Sequence, residues 1–259
     1  MRLRVLGCHG GESPTHRTTC FIVDDVLALD AGALTRGLTV AEQARIDNVV
    51  LSHVHLDHVR DLPLLGDNVI GVRKKPVDIY AAEFTAQALE KHIFNDVIWP
   101  DFTKIPNPSD PEQRPTLRLM RVTPRQTFQI GDYTVRTVPV KHPVDCQAIF
   151  VTTKAGTIVY SGDTGVTDEL WEELNKLTDL RAFIFEVSFP NHMGKLAQVS
   201  GHLTPETMAA ELKKLKPQTD VSVLLYHLKP AYHDVLKAQI AELGDSRLNI
   251  LRPMDEFEF

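Results

Sequence analysis

The stretch His53-Val54-His55-Leu56-Asp57-His58 constrains this chain more than any other. Three imidazoles and a carboxylate fall within six residues, directly behind the apolar run Val49-Val50-Leu51. That run reads as a buried strand, which puts the cluster on the loop leaving the strand's C-terminal end. His53 and His55 are two residues apart, so in extended backbone they project to the same side. Asp57 and His58 open the next element and are aimed at a second point. An isolated His is usually a surface residue or a hydrogen-bonded core residue, but that does not account for three of them with an Asp in this order. The pattern predicts two adjacent metal sites, because neutral imidazole and carboxylate suit Zn, Fe, Mn or Co with a water position left open.

The chain has 259 residues, 43% of them hydrophobic, enough to bury a core in one domain or two closely merged halves. Its net charge is −6 with both signs interspersed. That argues against a large surface for nucleic acid or membrane, and neither partner is expected. No run approaches the ~18 apolar residues of a membrane span. The first seven residues read as a short strand entering a Gly loop, not as a signal peptide. Cys8, Cys20 and Cys146 are odd in number and far apart, as expected for reduced, buried thiols of a cytoplasmic protein.

Residues 2–7 read as a strand, 19–30 as a hairpin turning at Asp24-Asp25, and 47–51 as the strand before the His cluster. A first helix is expected from His58 to Leu65, then a strand at 77–80 and a helix from Glu83 to Phe94. Residues 95–116 contain Pro100, Pro106, Pro108, Pro111 and Pro115, which excludes regular structure. A loop of this length is usually a lid or binding loop. Phe94, Trp99 and Phe102 either pin it to the body or face a substrate or a second copy of the chain in a homodimer. Strands follow at 117–123, 133–138, 146–153 and 157–160, then a helix after Asp163 and a strand at 181–187. Thr204 as N-cap, Pro205 at the first position and Glu206 in the first turn open a helix over 204–215, with Met208, Leu212 and Leu215 as its buried stripe. A strand at 221–225, a helix at 232–243 and a strand near 248–251 complete a chain whose periodicity alone gives an α/β protein.

Three later anchors extend the His cluster. Pro139-Val140-Lys141-His142 ends a strand, Tyr160-Ser161-Gly162-Asp163-Thr164-Gly165 follows another, and Leu224-Leu225-Tyr226-His227-Leu228 ends a third. Together they resemble the H-x-H-x-D-H signature of the metallo-β-lactamase superfamily and its further His, Asp and His ligands, across nearly the whole chain. The resemblance implies an αββα sandwich, two mixed β-sheets face to face with helices on the outer faces. It would form a single domain over residues 1–259, with a Pro-rich lid or interface loop at about 95–116. It also implies that His53, His55 and His142 hold one metal, that Asp57, His58 and His227 hold a second, and that Asp163 bridges them. Two divalent ions, Zn foremost and Mn or Fe as alternatives, need an anionic bridge at ~3.5–4 Å separation, and a water they share ionises near neutral pH.

Superfamily membership leaves the substrate open. A β-lactamase would need export, and a glyoxalase-type thioesterase would need a different setting for His142 and a C-terminal helical domain. Three segments resemble motifs of the class II cyclic-nucleotide phosphodiesterases: Phe185-Glu186-Val187-Ser188-Phe189-Pro190-Asn191, Ser200-Gly201-His202-Leu203-Thr204-Pro205 and His227-Leu228-Lys229-Pro230. The resemblance implies hydrolysis of a small phosphodiester, cyclic AMP or cyclic GMP, to the 5′-monophosphate by attack of the bridging hydroxide. It places His202 as catalytic acid and Glu186 as the carboxylate that keeps it protonated. Asp57 is expected among the catalytic residues as well as the ligands. A tRNA 3′-processing-type endoribonuclease shares such an acid but carries a basic arm for its polyanion, and no such insertion is found here. A di-iron oxygen-reducing protein, from another class, would need a flavin domain or partner. One departure bears on the substrate: Asp61 stands where the phosphodiesterase signature has a small residue.

Overall fold

The structure, a computed structural model, describes residues 1–216 and 221–259. It divides into two compact units, Met1–Gly7 with Arg17–Thr123 and Pro253–Glu258, and Cys8–His16 with Pro124–Arg252 and Phe259.

The first unit contains β1 (Arg2–Gly7), β2 (Cys20–Val23), β3 (Leu27–Leu29), α1 (Leu34–Gly37), α2 (Val40–Gln43), β4 (Asn48–Val50), α3 (Leu56–Val59), α4 (Asp61–Val69), β5 (Val77–Ala82), α5 (Glu83–His92) and β6 (Leu117–Val122). A C-terminal strand, Glu256–Glu258, pairs antiparallel with β1 at the sheet edge. From there the sheet runs β1-β2-β3-β4-β5-β6. It is antiparallel through the β2–β3 hairpin and parallel from β3 onward. The hairpin turns as expected at Asp24 and Asp25, both with positive φ (48° and 62°), the geometry that matches strand twist in a two-residue turn.

The first helix after the His cluster begins earlier than the sequence suggested, at Leu56, and runs as two pieces, α3 and α4. Its start was concealed because Leu56 is 64% exposed and opens no apolar stripe. Pro63 lies in the first turn of α4, where its missing N–H costs nothing. Residues 95–116 carry no helix or strand. Phe94 and Phe102 are buried in the unit's core and Trp99 packs against it, while the exposed apolar side chains of the loop are Val97 and Ile98. The aromatic cluster therefore pins the loop to its own unit.

The second unit contains β7 (Thr127–Ile130), β8 (Tyr133–Val140), β9 (Cys146–Thr153), β10 (Gly156–Tyr160), α6 (Glu169–Leu174), β11 (Leu180–Glu186), α7 (Gly194–Val199), α8 (Pro205–Leu212), β12 (Ser222–Tyr226), α9 (His233–Glu242) and β13 (Leu248–Ile250). Its sheet runs β13-β12-β11-β10-β9-β8-β7, parallel from β10 to β13 and antiparallel elsewhere. Thr204 caps α8 by accepting the Thr207 N–H, and Met208 and Leu212 are buried as the stripe requires. Trp171 packs edge-on against Phe183 and Phe185 and donates its indole N–H to Glu211 at 2.8 Å. The three cysteines are buried and none of them forms a disulfide. Among the described residues no helix is long and apolar enough to cross a membrane.

In each sheet the parallel strands end at chemistry-bearing residues. Asp30 follows β3 and His53 lies just beyond β4, while Asp163 lies beyond β10, Glu186 ends β11 and His227 follows β12. The carboxyl ends of parallel strands are where open α/β sheets expose backbone turns rather than helices, so side chains from several strands converge there.

Candidate metal centre

In the first unit the His cluster is organised by a buried carboxylate. Asp30 has no solvent exposure. Its Oδ1 accepts the Ser52 N–H at 2.7 Å, and its Oδ2 accepts the Ser52 hydroxyl at 2.6 Å and His58 Nδ1 at 2.7 Å. Because the Ser52 hydroxyl donates to Asp30, it accepts from His53 Nδ1, 3.0 Å away. One carboxylate thus fixes two imidazoles, His58 directly and His53 through Ser52. His53 Nε2 and His55 Nδ1 lie 3.1 Å apart, so the expected same-side projection of these residues is realised. Asp57, in the first turn of α3, has its carboxylate 3.9 Å from His58 Nε2.

The second unit repeats the device. Glu186 is fully buried. Its Oε2 accepts the Ser188 hydroxyl at 2.7 Å and its Oε1 accepts the Leu203 N–H at 3.0 Å. Ser188 in turn accepts His227 Nδ1 at 2.8 Å. His202 Nδ1 lies 3.3 Å from Glu186 Oε1, and its ring stacks on that of His227 at 5.1 Å. His227 Nε2 approaches Asp163 Oδ2 at 3.1 Å, and the Tyr226 hydroxyl donates to Asp163 Oδ1 at 3.1 Å. Burial, with Tyr160 and Asp163 beside it, raises the Tyr226 pKa well above normal, so it stays a donor. Burial and the Asp163 carboxylate push Glu186 up to about 8, against the pull of His227, Ser188 and the Leu203 N–H. A cation held by Asp163 would favour its ionised form.

His142 completes this set. Its Nδ1 donates to the Gly201 carbonyl at 3.0 Å. Gly201 has φ +67°, and a Cβ there would come within 2.7 Å of Pro143, so only glycine brings that carbonyl to the imidazole. Gly10 serves His227 likewise, since a Cβ at Gly10 would meet the His227 ring at 2.7 Å. His142, Asp163 and His202 place donor atoms within 4.8 Å of one another, and so do Glu186, His202 and His227.

These residues fit a divalent ion by the chemistry of their donors. His53, His58, His142 and His227 each have Nδ1 engaged by a hydroxyl, a carboxylate or a backbone carbonyl. That arrangement fixes the tautomer and leaves Nε2 as the ligand atom, the usual outer support of a metal-bound imidazole. Asp30, Ser52 and Ser188 were not singled out from the sequence. The available signal was an acid at the end of a short strand in Leu29-Asp30-Ala31-Gly32, with Asp30 at φ +57°. Asp61, read from the sequence as a mark on the substrate, is buried. It accepts the Thr35 N–H at 2.8 Å and Arg60 Nε at 2.9 Å, anchoring the start of α1.

Residues 22–227 match the model of the Beta-lactamase superfamily domain. A probable 3′,5′-cyclic-nucleotide phosphodiesterase of Yersinia pestis is 29% identical, with 92% of this chain and 82% of that one covered. A ribonuclease Z of Methanococcus maripaludis is 27% identical over 85% of this chain and 74% of that one. The metallo-β-lactamase fold protein YhfI from Bacillus subtilis superposes with a TM-score of 0.75 at 22% identity, covering 99% of both chains. That likeness shows the metallo-β-lactamase fold, the αββα sandwich expected from the sequence. The family match takes in both carboxylate-anchored sets of imidazoles, and the chain belongs to the β-lactamase superfamily, among its metallo-β-lactamase-fold hydrolases.

Proposed function

We propose that the protein is a binuclear metal-dependent phosphodiesterase that hydrolyses 3′,5′-cyclic nucleotides to 5′-monophosphates. In this reading His53, His55 and His142 hold one ion, Asp57, His58 and His227 the other, and Asp163 serves both. Bound there, two divalent ions would neutralise phosphodiester charge and lower the pKa of water. The observation that carries the reading is His202. It is buried beside Glu186 and lines a cleft of about 420 Å³ whose wall also includes Lys141, Lys195, Gln198 and Thr207. This volume is within the range of small-molecule sites.

The chain's own residues divide the work as follows. Lys141 and Lys195 offer positive charge to a phosphate entering the cleft, and Gln198 offers an amide to a polar ligand edge. With a cation at Asp163 favouring its ionised form, Glu186 would orient His202 through Nδ1 and favour the imidazolium. His202 then protonates the departing ribose 3′-oxygen, a poor leaving group unless it is protonated or otherwise neutralised. Ser188 and Ser52 hold the neighbouring imidazoles in one tautomer. The net charge of −6 opposes a large polyanionic substrate.

The test is a hydrolysis panel on protein loaded with Zn or Mn: cyclic AMP, cyclic GMP, bis(p-nitrophenyl) phosphate, pre-tRNA and an acyl thioester. The highest kcat/KM is expected on a cyclic mononucleotide. Higher kcat/KM on pre-tRNA would move the protein to the ribonuclease Z reading, and turnover of the thioester alone would overturn both.

A further inference from the structure

A second cluster of imidazoles lies within the second unit, outside the proposed binuclear ligand set and outside the wall of the cleft. His9, His16 and His233 place their ligand atoms within 4.8 Å of one another. Their rings meet at centroid distances of 4.6 Å for His9 and His16, 5.1 Å for His16 and His233, and 5.6 Å for His9 and His233. We propose that these three residues form a third metal site, which takes a late first-row divalent ion such as Zn, Ni or Cu.

Each imidazole is presented by local structure. His9 is 4% exposed, and its backbone bridges to Leu228. His16 closes a tight turn in which Ser13 and His16 exchange both backbone hydrogen bonds. The Ser13 hydroxyl lies 2.6 Å from His16 Nδ1 and the Thr15 hydroxyl 3.1 Å from it. A hydroxyl also meets Nδ1 of His53 and His227, from Ser52 and Ser188. His233 is the first residue of α9, so its side chain is delivered by a ten-residue helix rather than by a mobile loop.

The alternative is a packed cluster of rings without an ion. Three imidazoles that titrated independently would repel one another as cations, and one of them is almost wholly removed from water. Burial and the neighbouring His16 lower the His233 pKa, favouring the neutral form that binds metal. The faces around His233 also bring Lys237, which opposes its protonation, and Asp234, which favours it. Three neutral imidazoles form a recognised donor set for Zn, with the remaining position left to water, and imidazole nitrogen suits Ni and Cu equally.

The experiment uses untagged full-length protein, stripped with chelator, reloaded with Zn²⁺, freed of excess metal by gel filtration and assayed by elemental analysis. The double variant His16→Gln/His233→Gln is expected to hold one Zn per chain fewer than wild type. The variant His53→Ala/His58→Ala, which breaks the binuclear set, is expected to retain the ion at the third site. Equal Zn in wild type and His16→Gln/His233→Gln overturns the proposal, and so does a metal-free His53→Ala/His58→Ala protein. The single variant His16→Gln, on a surface turn, keeps the test open if the double variant misfolds. Its Zn²⁺ affinity at this site must fall at least tenfold, and an unchanged titration overturns the proposal. Failure of this count leaves the phosphodiesterase reading intact, because that rests on the other residues.

Discussion

Replacing Asp30 with Asn tests whether one buried carboxylate organises the first set of imidazoles. Asp30 accepts three donors: the Ser52 N–H on one oxygen, and the Ser52 hydroxyl and His58 Nδ1 on the other. Its backbone lies at φ +57°, a region Asn tolerates as well as Asp, so the substitution adds no backbone strain. Asn offers one oxygen. In its better orientation it keeps the two donors on the Oδ2 side and turns its amide toward the Ser52 N–H. Stranding that buried N–H costs about 1–3 kcal/mol, and the two retained bonds lose about 1 kcal/mol each with the charge, giving about 3–5 kcal/mol. For a chain of this size that is a drop in Tm of about 6–20 °C. Metal affinity should fall ~10–100-fold, because a neutral amide oxygen holds His58 Nδ1 less firmly than the carboxylate does. Chemical denaturation of the metal-free protein reads the first effect and elemental analysis under a competing chelator reads the second. If D30N matches wild type in both denaturation midpoint and metal retention, the orienting role of Asp30 is wrong.

His202→Ala should keep the binuclear metals and the fold while kcat on a cyclic nucleotide falls ~10²–10⁴-fold. Activity should partly recover on bis(p-nitrophenyl) phosphate, whose leaving group needs no proton, and loss of metal would instead make His202 a ligand. Asp61→Ala should lower stability by ~1–3 kcal/mol, as the Thr35 N–H loses its buried acceptor. Substrate ranking in the hydrolysis panel should not change, and a changed ranking would restore Asp61 to specificity. Trp99→Ala should lower the thermal midpoint and leave KM alone, since Trp99 packs against the core of its own unit. A raised KM would make residues 95–116 a lid.

The metal motif was legible because its residues sit at strand ends, where local pattern fixes both backbone and side-chain direction. His53 and His55 show this, being two apart in extended chain and bringing ring nitrogens to 3.1 Å. The supporting residues were less legible, because a hydrogen bond such as Asp30 to His58 spans 28 positions and leaves no periodic trace. Glu186 was read as the partner of His202, yet it also holds His227 through Ser188, a second role visible only in three dimensions. The strand β7 and the helix α7 went unmarked. Each is short, and residues such as Thr127, Gln129 and Gln198 break any apolar run. Asp61 stood out in the sequence only as a departure from the phosphodiesterase signature, and its acceptance of the Thr35 N–H, 26 positions away, left no trace there.

The pairing of Nδ1 with fixed acceptors also sets the stoichiometry of proton release when the protein takes up metal. A carbonyl or carboxylate cannot donate, so Gly201 and Asp30 require His142 and His58 to carry their proton on Nδ1. Ser52 already donates to the Asp30 carboxylate, which imposes the same tautomer on His53. Above the titration range of imidazole, the opposite nitrogen of these three rings therefore carries no proton before any ion arrives, whereas His227 Nε2 faces the Asp163 carboxylate at 3.1 Å. Ion uptake need not expel a proton from His53, His58 or His142 or wait for their tautomers to interconvert. Protons appearing in the medium during loading at pH 8 would then come from water drawn into the site and from Glu186, whose ionised form a cation at Asp163 favours, and calorimetry in buffers of different ionisation enthalpy would count them directly.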